Sequence, residues 1–132
     1  MRMLRFAVFL AAFALATPAL AEPLPKRVGQ CADTKVLRVE TRLIDGAGQP
    51  VKGSGSAVEF VNGGYQVSYD TIPEVEASRP GDVARICLAS IPHPCPPGDK
   101  RGRVYKTTNL RTTDSWSLPD AEHSCGGAKR RP

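Results

Sequence analysis

Two histidine-x-cysteine units are the residues of this chain whose types and spacing come closest to known site chemistry. They are His93-Pro94-Cys95 and His123-Ser124-Cys125. Two imidazoles and two thiolates would form the tetrahedral nitrogen and sulfur shell that zinc prefers. However, the spacing matches neither a Cys-x-x-Cys ribbon nor a helical pair of histidines. We therefore expect no metal or other cofactor, and disulfides instead.

The chain has four cysteines, Cys31, Cys87, Cys95 and Cys125, and these allow three disulfide pairings. We favour Cys31 with Cys125, which joins the two ends of the domain, and Cys87 with Cys95, which ties a proline-rich loop to its strand. The crossed alternative joins Cys31 to Cys87 and Cys95 to Cys125. An even number of cysteines in an exported chain also argues against a free, nucleophilic thiol.

Motifs for catalysis are missing from the sequence. It contains neither a Gly-x-Ser-x-Gly elbow nor a His-Glu-x-x-His zinc motif. Asp99 and Asp120 would form a carboxylate pair only if the fold happened to bring them together. Both lie in turns rich in proline and glycine, where aspartate usually caps backbone amides. We therefore predict no catalytic residue and no enzymatic activity.

A cluster of basic and aromatic residues near the C-terminus is the best candidate for a binding surface. On a strand, Arg103, Tyr105, Asn109 and Arg111 would lie on one face. Guanidinium groups bind carboxylate or phosphate and stack on aromatic rings. We call these four residues the predicted binding face, and it suits an anionic ligand or an envelope protein. The alternative is a solvated face whose charge is neutralised by nearby Asp and Glu.

The elements that would position these residues are short strands separated by Gly, Pro, Asn and Asp. Alternation predicts a half-buried strand over 37–43. The dipeptide Asn62-Gly63 predicts a hairpin with a two-residue turn, in which Phe60 faces Tyr65 and Val58 faces Val67. A short helical turn is expected over 72–78, because Pro73 suits a first helical position.

The second half of the chain continues the strand pattern. Arg79-Pro80-Gly81-Asp82 fits a type II turn. A central strand follows over 83–91, apolar on both faces, then a stiff loop over 92–102 and a strand over 103–111. A three-residue loop at 112–114 would pair Leu110 with Trp116 and Thr108 with Leu118. The resulting fold is all-β: a small antiparallel barrel or sandwich of about six strands with two disulfides and at most one short helical turn.

The first 21 residues have the pattern of an export signal. A short cationic start precedes an apolar run over 6–16, and Ala19-Leu20-Ala21 fits signal peptidase. Cleavage after Ala21 would leave an extended leader at 22–30, the β domain at 31–128 and a basic tail at 129–132. The apolar run is too short to span a membrane, so we expect a periplasmic or secreted protein without a transmembrane segment.

The basic character of the chain is concentrated at its ends. The sequence pI is about 9.3 and the formal net charge is +5. Residues 22–128, however, carry 13 basic and 13 acidic side chains. Nucleic-acid binding requires a basic face on the domain, so we expect no nucleic-acid partner.

Several short motifs, taken together, resemble a group of small exported proteobacterial proteins of unknown activity. The motifs are GSGSAV at 53–58, YQVSYD at 65–70, SRPGD at 78–82, CPPGD at 95–99, RGR at 101–103, TNLRT at 108–112 and HSCGGA at 123–128. The resemblance implies a Gram-negative periplasmic or secreted setting and carries no functional residues. We expect a non-catalytic binding module of the cell envelope. The alternative is an envelope enzyme or enzyme inhibitor, for example one similar to lysozyme inhibitors.

Overall fold

The computed structural model describes residues 21–127 together with Ala12, Ala14 and Leu15. The predicted export signal lies outside the described residues except at these three positions and Ala21, and the basic tail lies wholly outside them. Among the described residues, no helix has the length and apolar character needed to cross a membrane.

The described residues form six strands and one short helix. In chain order these are β1 (Cys31–Thr41), β2 (Ser56–Phe60), β3 (Tyr65–Ser68), α1 (Pro73–Glu76), β4 (Val83–Ser90), β5 (Val104–Asn109) and β6 (Ser115–Pro119). The strands lie in the order β3-β2-β1-β4-β5-β6, and all neighbours are antiparallel. The sheet curls into a half-barrel. The prediction of a small all-β fold with two disulfides and one helical turn is confirmed.

Strand β1 is shared by the two halves of the sheet. Its first half, from Cys31 to Lys35, pairs with β4, and its second half, from Val36 to Thr41, pairs with β2. A bulge between Val36 and Arg38 separates the halves and leaves Leu37 and Arg38 both exposed. The predicted strand over 37–43 therefore has the wrong start and, at Leu37, the wrong face, because a bulge shifts the alternation by one residue.

The β2–β3 hairpin is present, but its predicted two-residue turn is wrong. The loop has three residues, 61–63, closed by a hydrogen bond from Phe60 N to Gly64 O of 2.8 Å. Gly63 has φ of 86°, as the last residue of such a loop requires. The register moves by one residue, so Glu59, not Phe60, lies opposite Tyr65. Phe60 and Val58 are buried, as predicted, but Val58 lies opposite Gln66 and Phe60 lies opposite Gly64.

The connection from β3 to β4 follows the sequence prediction. Helix α1 begins at Pro73 and places Val75 in the core. The turn at 79–82 is closed by a 3.0 Å hydrogen bond from Asp82 N to Arg79 O, and Gly81 has φ of 91°. Strand β4 occupies the central position that was predicted for residues 83–91.

The β5–β6 hairpin is present in a different register from the predicted one. Thr107 lies opposite Trp116 and Tyr105 opposite Leu118, while Thr108 lies opposite Ser115. The loop between the strands is longer than predicted, and Asn109 N donates to Asp114 O at 2.9 Å. The change moves the side chains of β5 to the opposite faces from those predicted.

The core cluster consists of inward-facing residues of five strands and α1: Ala32, Val36, Val58, Phe60, Val75, Ala84, Ile86, Leu88, Tyr105 and Trp116.

A buried glutamine joins the two ends of the half-barrel. Gln66 of β3 is 0 % exposed. Its Nε2 donates to Tyr105 O at 2.7 Å and to Leu118 O at 3.2 Å. Its Oε1 accepts from Thr107 Oγ1 at 2.7 Å and from Trp116 Nε1 at 2.9 Å. The full hydrogen-bonding capacity of the amide is therefore used, and β3 is linked to β5 and β6 through a side chain.

Candidate functional site

The cysteines form the crossed pairing, so the favoured pairing is wrong. Cys31 is bonded to Cys87, and Cys95 is bonded to Cys125. The reason is the sheet topology, because β1 lies against β4 and places Cys31 directly opposite Cys87. The second bond joins the proline-rich loop to the segment that follows β6. All four thiols of the chain are consumed.

The two His-x-Cys units do come together, but not as a zinc shell. His93 and His123 line one shallow pocket of about 400 Å³ with Glu122 and Cys125. The cysteine sulfurs are engaged in the disulfide, so they are not available as thiolate ligands. Among the described residues, no three His, Cys, Asp or Glu side chains are placed to hold a metal ion.

The predicted binding face is wrong, because two of its four residues, Tyr105 and Asn109, point into the core. Tyr105 is 1 % exposed and Asn109 is 0 % exposed, so neither can contact an external ligand. On β5, Tyr105, Thr107 and Asn109 face inward, and Lys106 faces solvent. Tyr105 and Asn109 are amphipathic or polar, and the sequence pattern therefore gave no apolar signal for this inward face.

Arg111 and Asn109 instead stabilise a buried carboxylate. Arg111 Nε donates to Asp82 Oδ1 at 2.7 Å, and Asn109 Nδ2 donates to Asp82 Oδ2 at 2.9 Å. Arg79 N adds a third hydrogen bond at 2.9 Å. The Arg111 hydrogen bond, with those of Asn109 and Arg79, holds the pKa of Asp82 well below its usual range. This is the neutralising alternative that the sequence left open for Arg111.

Asp99 and Asp120 line one open pocket next to Arg101. Asp99 accepts from Arg101 Nε at 3.0 Å and from Gly126 N at 3.0 Å, and the Arg101 hydrogen bond lowers the pKa of Asp99. Asp120 accepts from Gly102 N at 2.7 Å, and burial raises its pKa. Arg103 lies beside Asp120, half-buried, and its Nε has no hydrogen-bond partner among the described residues. Both carboxylates thus cap loop amides, as expected for aspartates in turns.

An exposed apolar row crosses the outer face of the sheet. Lys35 lies opposite Val83 across β1 and β4. Val61 N donates to Lys35 O at 2.9 Å, and Leu110 N donates to Val83 O at 2.9 Å. Val61 and Leu110 therefore lie at the two ends of the row. We call Val61, Lys35, Val83 and Leu110 the outer row.

The apolar side chains of the outer row are exposed to solvent. The exposed fraction is 53 % for Val61, 42 % for Val83 and 49 % for Leu110, and that of nearby Leu37 is 47 %. Each of these four side chains leaves about half of its surface open to solvent, and exposed apolar side chains grouped on one face can mark an interaction site. Sequence analysis missed the row, because it predicted a central strand over 83–91 that is apolar on both faces and paired Leu110 with Trp116.

A second exposed feature combines apolar walls with two carboxylates. The groove has a volume of about 380 Å³ and is lined by Val39, Glu40, Thr41, Ile44, Gly48, Pro50 and Glu76. Glu40 lies 3.6 Å from Arg38 Nε. Glu76 forms no ion pair within the described part of the chain. We call this feature the acidic groove.

Comparison with known proteins gives no further constraint: the chain matches no protein-family model, no curated protein and no solved structure.

Proposed function

We propose that this protein is a non-catalytic binding module of the cell envelope that docks a partner protein through the outer row. The observation that carries the proposal is the alignment of exposed Val61, Val83 and Leu110 on one solvent-facing side of the sheet. Burying exposed apolar side chains is the main favourable contribution to most protein association. A sheet that is braced by two disulfides offers these side chains in a fixed arrangement, which lowers the entropy cost of docking.

The envelope setting is supported by the state of the cysteines. Two disulfides that use every thiol of the chain indicate an oxidising compartment. Among oxidising compartments, we propose the periplasm or the extracellular medium. The protein would reach it through the export signal that the first 21 residues resemble.

The proposed function is tested by partner capture with a variant that places positive charge in the outer row. The double variant Val83→Lys, Leu110→Lys replaces two apolar contacts with solvated ammonium groups, so we expect at least a tenfold loss of partner recovered from envelope extract. The matched control is Val51→Lys, because Val51 is an exposed valine outside the outer row. Both proteins should unfold at nearly the same urea concentration as the wild type. Equal recovery by wild type and double variant, or no specific partner for the wild type, contradicts the proposal.

The acidic groove favours one alternative function, inhibition of a basic envelope enzyme such as a lysozyme. Glu40 and Glu76 can accept a lysine or arginine whose methylene groups pack on Val39 and Ile44. Steady-state hydrolysis of a peptidoglycan suspension by lysozyme would be measured with increasing amounts of this protein. Inhibition by the wild type that is lost in Glu40→Gln, Glu76→Gln, but kept in the control Glu74→Gln, a half-buried carboxylate of α1 outside the groove lining, would favour this alternative over the binding module.

A further inference from the structure

We propose that the partner segment recognised by the outer row is an extended strand with the pattern apolar-x-acidic-x-apolar, whose carboxylate meets Lys35. This inference rests on the proposed docking function and names the chemistry of the partner. It is drawn from the charges around the row and from the spacing of its side chains.

Lys35 is the only charged member of the outer row, and it lies between Val61 and Val83. It forms no ion pair with any of the described residues. A lysine in the middle of an apolar surface loses part of its hydration when that surface is covered. Docking an uncharged apolar partner would therefore leave a partly desolvated ammonium without a counter-charge, which is unfavourable.

The neighbouring carboxylates do not supply this counter-charge: three are engaged with arginines, and Glu22, which accepts from Asp33 N at 2.7 Å, forms no ion pair with Lys35. On the adjacent row of β1 and β4, Arg85 Nε donates to Asp33 Oδ1 at 2.9 Å. Beyond the bulge, Arg38 Nε donates to Glu59 Oε2 at 2.9 Å. In the turn that precedes Val83, Asp82 is held by Arg111. Lys35 therefore has no carboxylate within ion-pairing distance among the described residues, and a partner with a carboxylate is complementary to it.

The spacing of the row fits alternate side chains of an extended strand. From Val61 to Leu110 the row crosses three strand-to-strand intervals, which is about 14 Å. Residues i and i+4 of an extended strand are about 13 Å apart, with residue i+2 midway between them. A partner strand that crosses the sheet at a steep angle would thus place two apolar side chains near Val61 and Leu110. Its central side chain would then lie within reach of the flexible Lys35 ammonium.

The test uses three synthetic peptides and the full folded protein. The peptides have the sequence Ser-Leu-Ser-X-Ser-Leu-Ser, capped at both ends, with X as Glu, Gln or Lys. Amide chemical shifts of the isotope-labelled protein are followed during titration at low salt. We expect the Glu peptide to shift the amides of the outer row, with an affinity at least threefold higher than that of the Gln peptide. The Lys peptide should bind more weakly than either.

Two lysine variants test whether Lys35 causes the preference for the Glu peptide. Lys35→Gln should remove the preference for the Glu peptide. Lys106→Gln should keep it, because Lys106 lies on the same outer face but opposite Cys87, about 13 Å along β4 from Val83. Retention of the preference in Lys35→Gln would overturn the role of Lys35.

The outcomes separate this inference from the proposed function. Equal binding of the Glu and Gln peptides at the row overturns the acidic preference and leaves the docking surface in place. Row shifts that depend on protein concentration without peptide would show that a second copy occupies the row, which also overturns the inference. No shift at the row with any peptide overturns it as well. The proposed function itself fails if the Val83→Lys, Leu110→Lys variant retains its partner, or if the wild type recovers no specific partner.

Discussion

Replacing Gln66 by leucine should remove the link between the two ends of the half-barrel. Leucine has a similar volume, so the change leaves little cavity and tests the hydrogen bonds themselves. Trp116 Nε1 would lose its acceptor, and the carbonyl oxygens of Tyr105 and Leu118 would lose a donor. The Thr107 hydroxyl would also lose its acceptor, although it can rotate towards another.

The magnitude follows from the burial of these partners. Each buried polar group left without a partner costs about 1 to 3 kcal/mol, and the apolar leucine side chain offsets part of this loss. We expect a net loss of about 3 kcal/mol in the free energy of unfolding. Small domains have about 5 to 15 kcal/mol of stability in total, so this is a large fraction. With an m-value near 1 to 1.5 kcal/mol/M in urea, the midpoint should fall by about 2 to 3 M.

The assay is urea unfolding with intact disulfides, followed by the fluorescence of Trp116, the chain's one tryptophan, and by far-UV circular dichroism. Coincident transitions from the two probes would support two-state unfolding. The matched control is Gln49→Leu, because Gln49 is exposed and should change stability by less than about 0.5 kcal/mol. A double-mutant cycle with Thr107→Val should show coupling of at least about 0.5 kcal/mol. A loss below about 1 kcal/mol for Gln66→Leu would refute the reasoning.

Three further predictions concern charge, backbone and disulfides. The Arg111 hydrogen bond depresses the pKa of Asp82, so the ionised Asp82 carboxylate adds to the free energy of unfolding at pH values above the unfolded-state pKa near 3.9. This contribution to stability is lost as the pH falls below that value. Asp82→Asn should therefore cost about 1 to 2 kcal/mol at pH 7 but much less at pH 2, as measured by urea unfolding, and an equal cost at both pH values would contradict the assignment. Gly55→Ala should cost at least about 2 to 3 kcal/mol in thermal or urea unfolding, because Gly55 has φ of 115° and a Cβ there would overlap Ser68 O. Gly48→Ala, with φ of 78° and open space around it, should cost only about 1 kcal/mol, and equal costs would mean that the close approach is wrong. Non-reducing peptide mapping should recover Cys31 with Cys87 and Cys95 with Cys125, and Cys95→Ala, Cys125→Ala should cost about 3 to 4 kcal/mol in the loop-entropy model; recovery of a Cys31–Cys125 peptide would refute the pairing.

Local patterns in the sequence were sufficient for the elements that local chemistry determines. Pro73 marked the start of α1, and the Pro80-Gly81 pair marked the turn before β4. Alternation and turn residues also predicted the all-β class and both hairpins. These features depend on backbone preferences within a few residues, which a single sequence reports directly.

Registers and pairings needed information that is not local. A two-residue turn and a three-residue loop both accept Asn62-Gly63, so the β2–β3 register was off by one residue. The burial of Asn109 depends on Asp82 and Ser78, which lie about thirty residues away and accept hydrogen bonds from its Nδ2. The cysteine pairing depends on β1 meeting β4, which no spacing of cysteines reveals.

The candidate site was missed for a related reason. The outer row exists only once β1, β2, β4 and β5 lie side by side in one register, and each residue taken alone looks like an ordinary strand residue. Arg103 and Arg111 were attractive because of their chemistry, yet the β5–β6 register turns Tyr105 and Asn109, which lie between them in the sequence, into the core.

The shared strand β1 has a consequence for the speed of folding. The two hairpins and α1 join residues that are close in sequence, so they can form quickly. Pairing of β1 with β4 joins residues about fifty positions apart, and pairing of β1 with β2 must occur at the same bulged strand. Formation of these long-range pairings of β1 therefore determines the contact order of the domain, and we expect it to be the slow step of folding. The Cys31–Cys87 disulfide connects β1 and β4, so in an unfolded but oxidised chain these two strands are already held close together. The oxidised chain should therefore refold faster than the reduced chain.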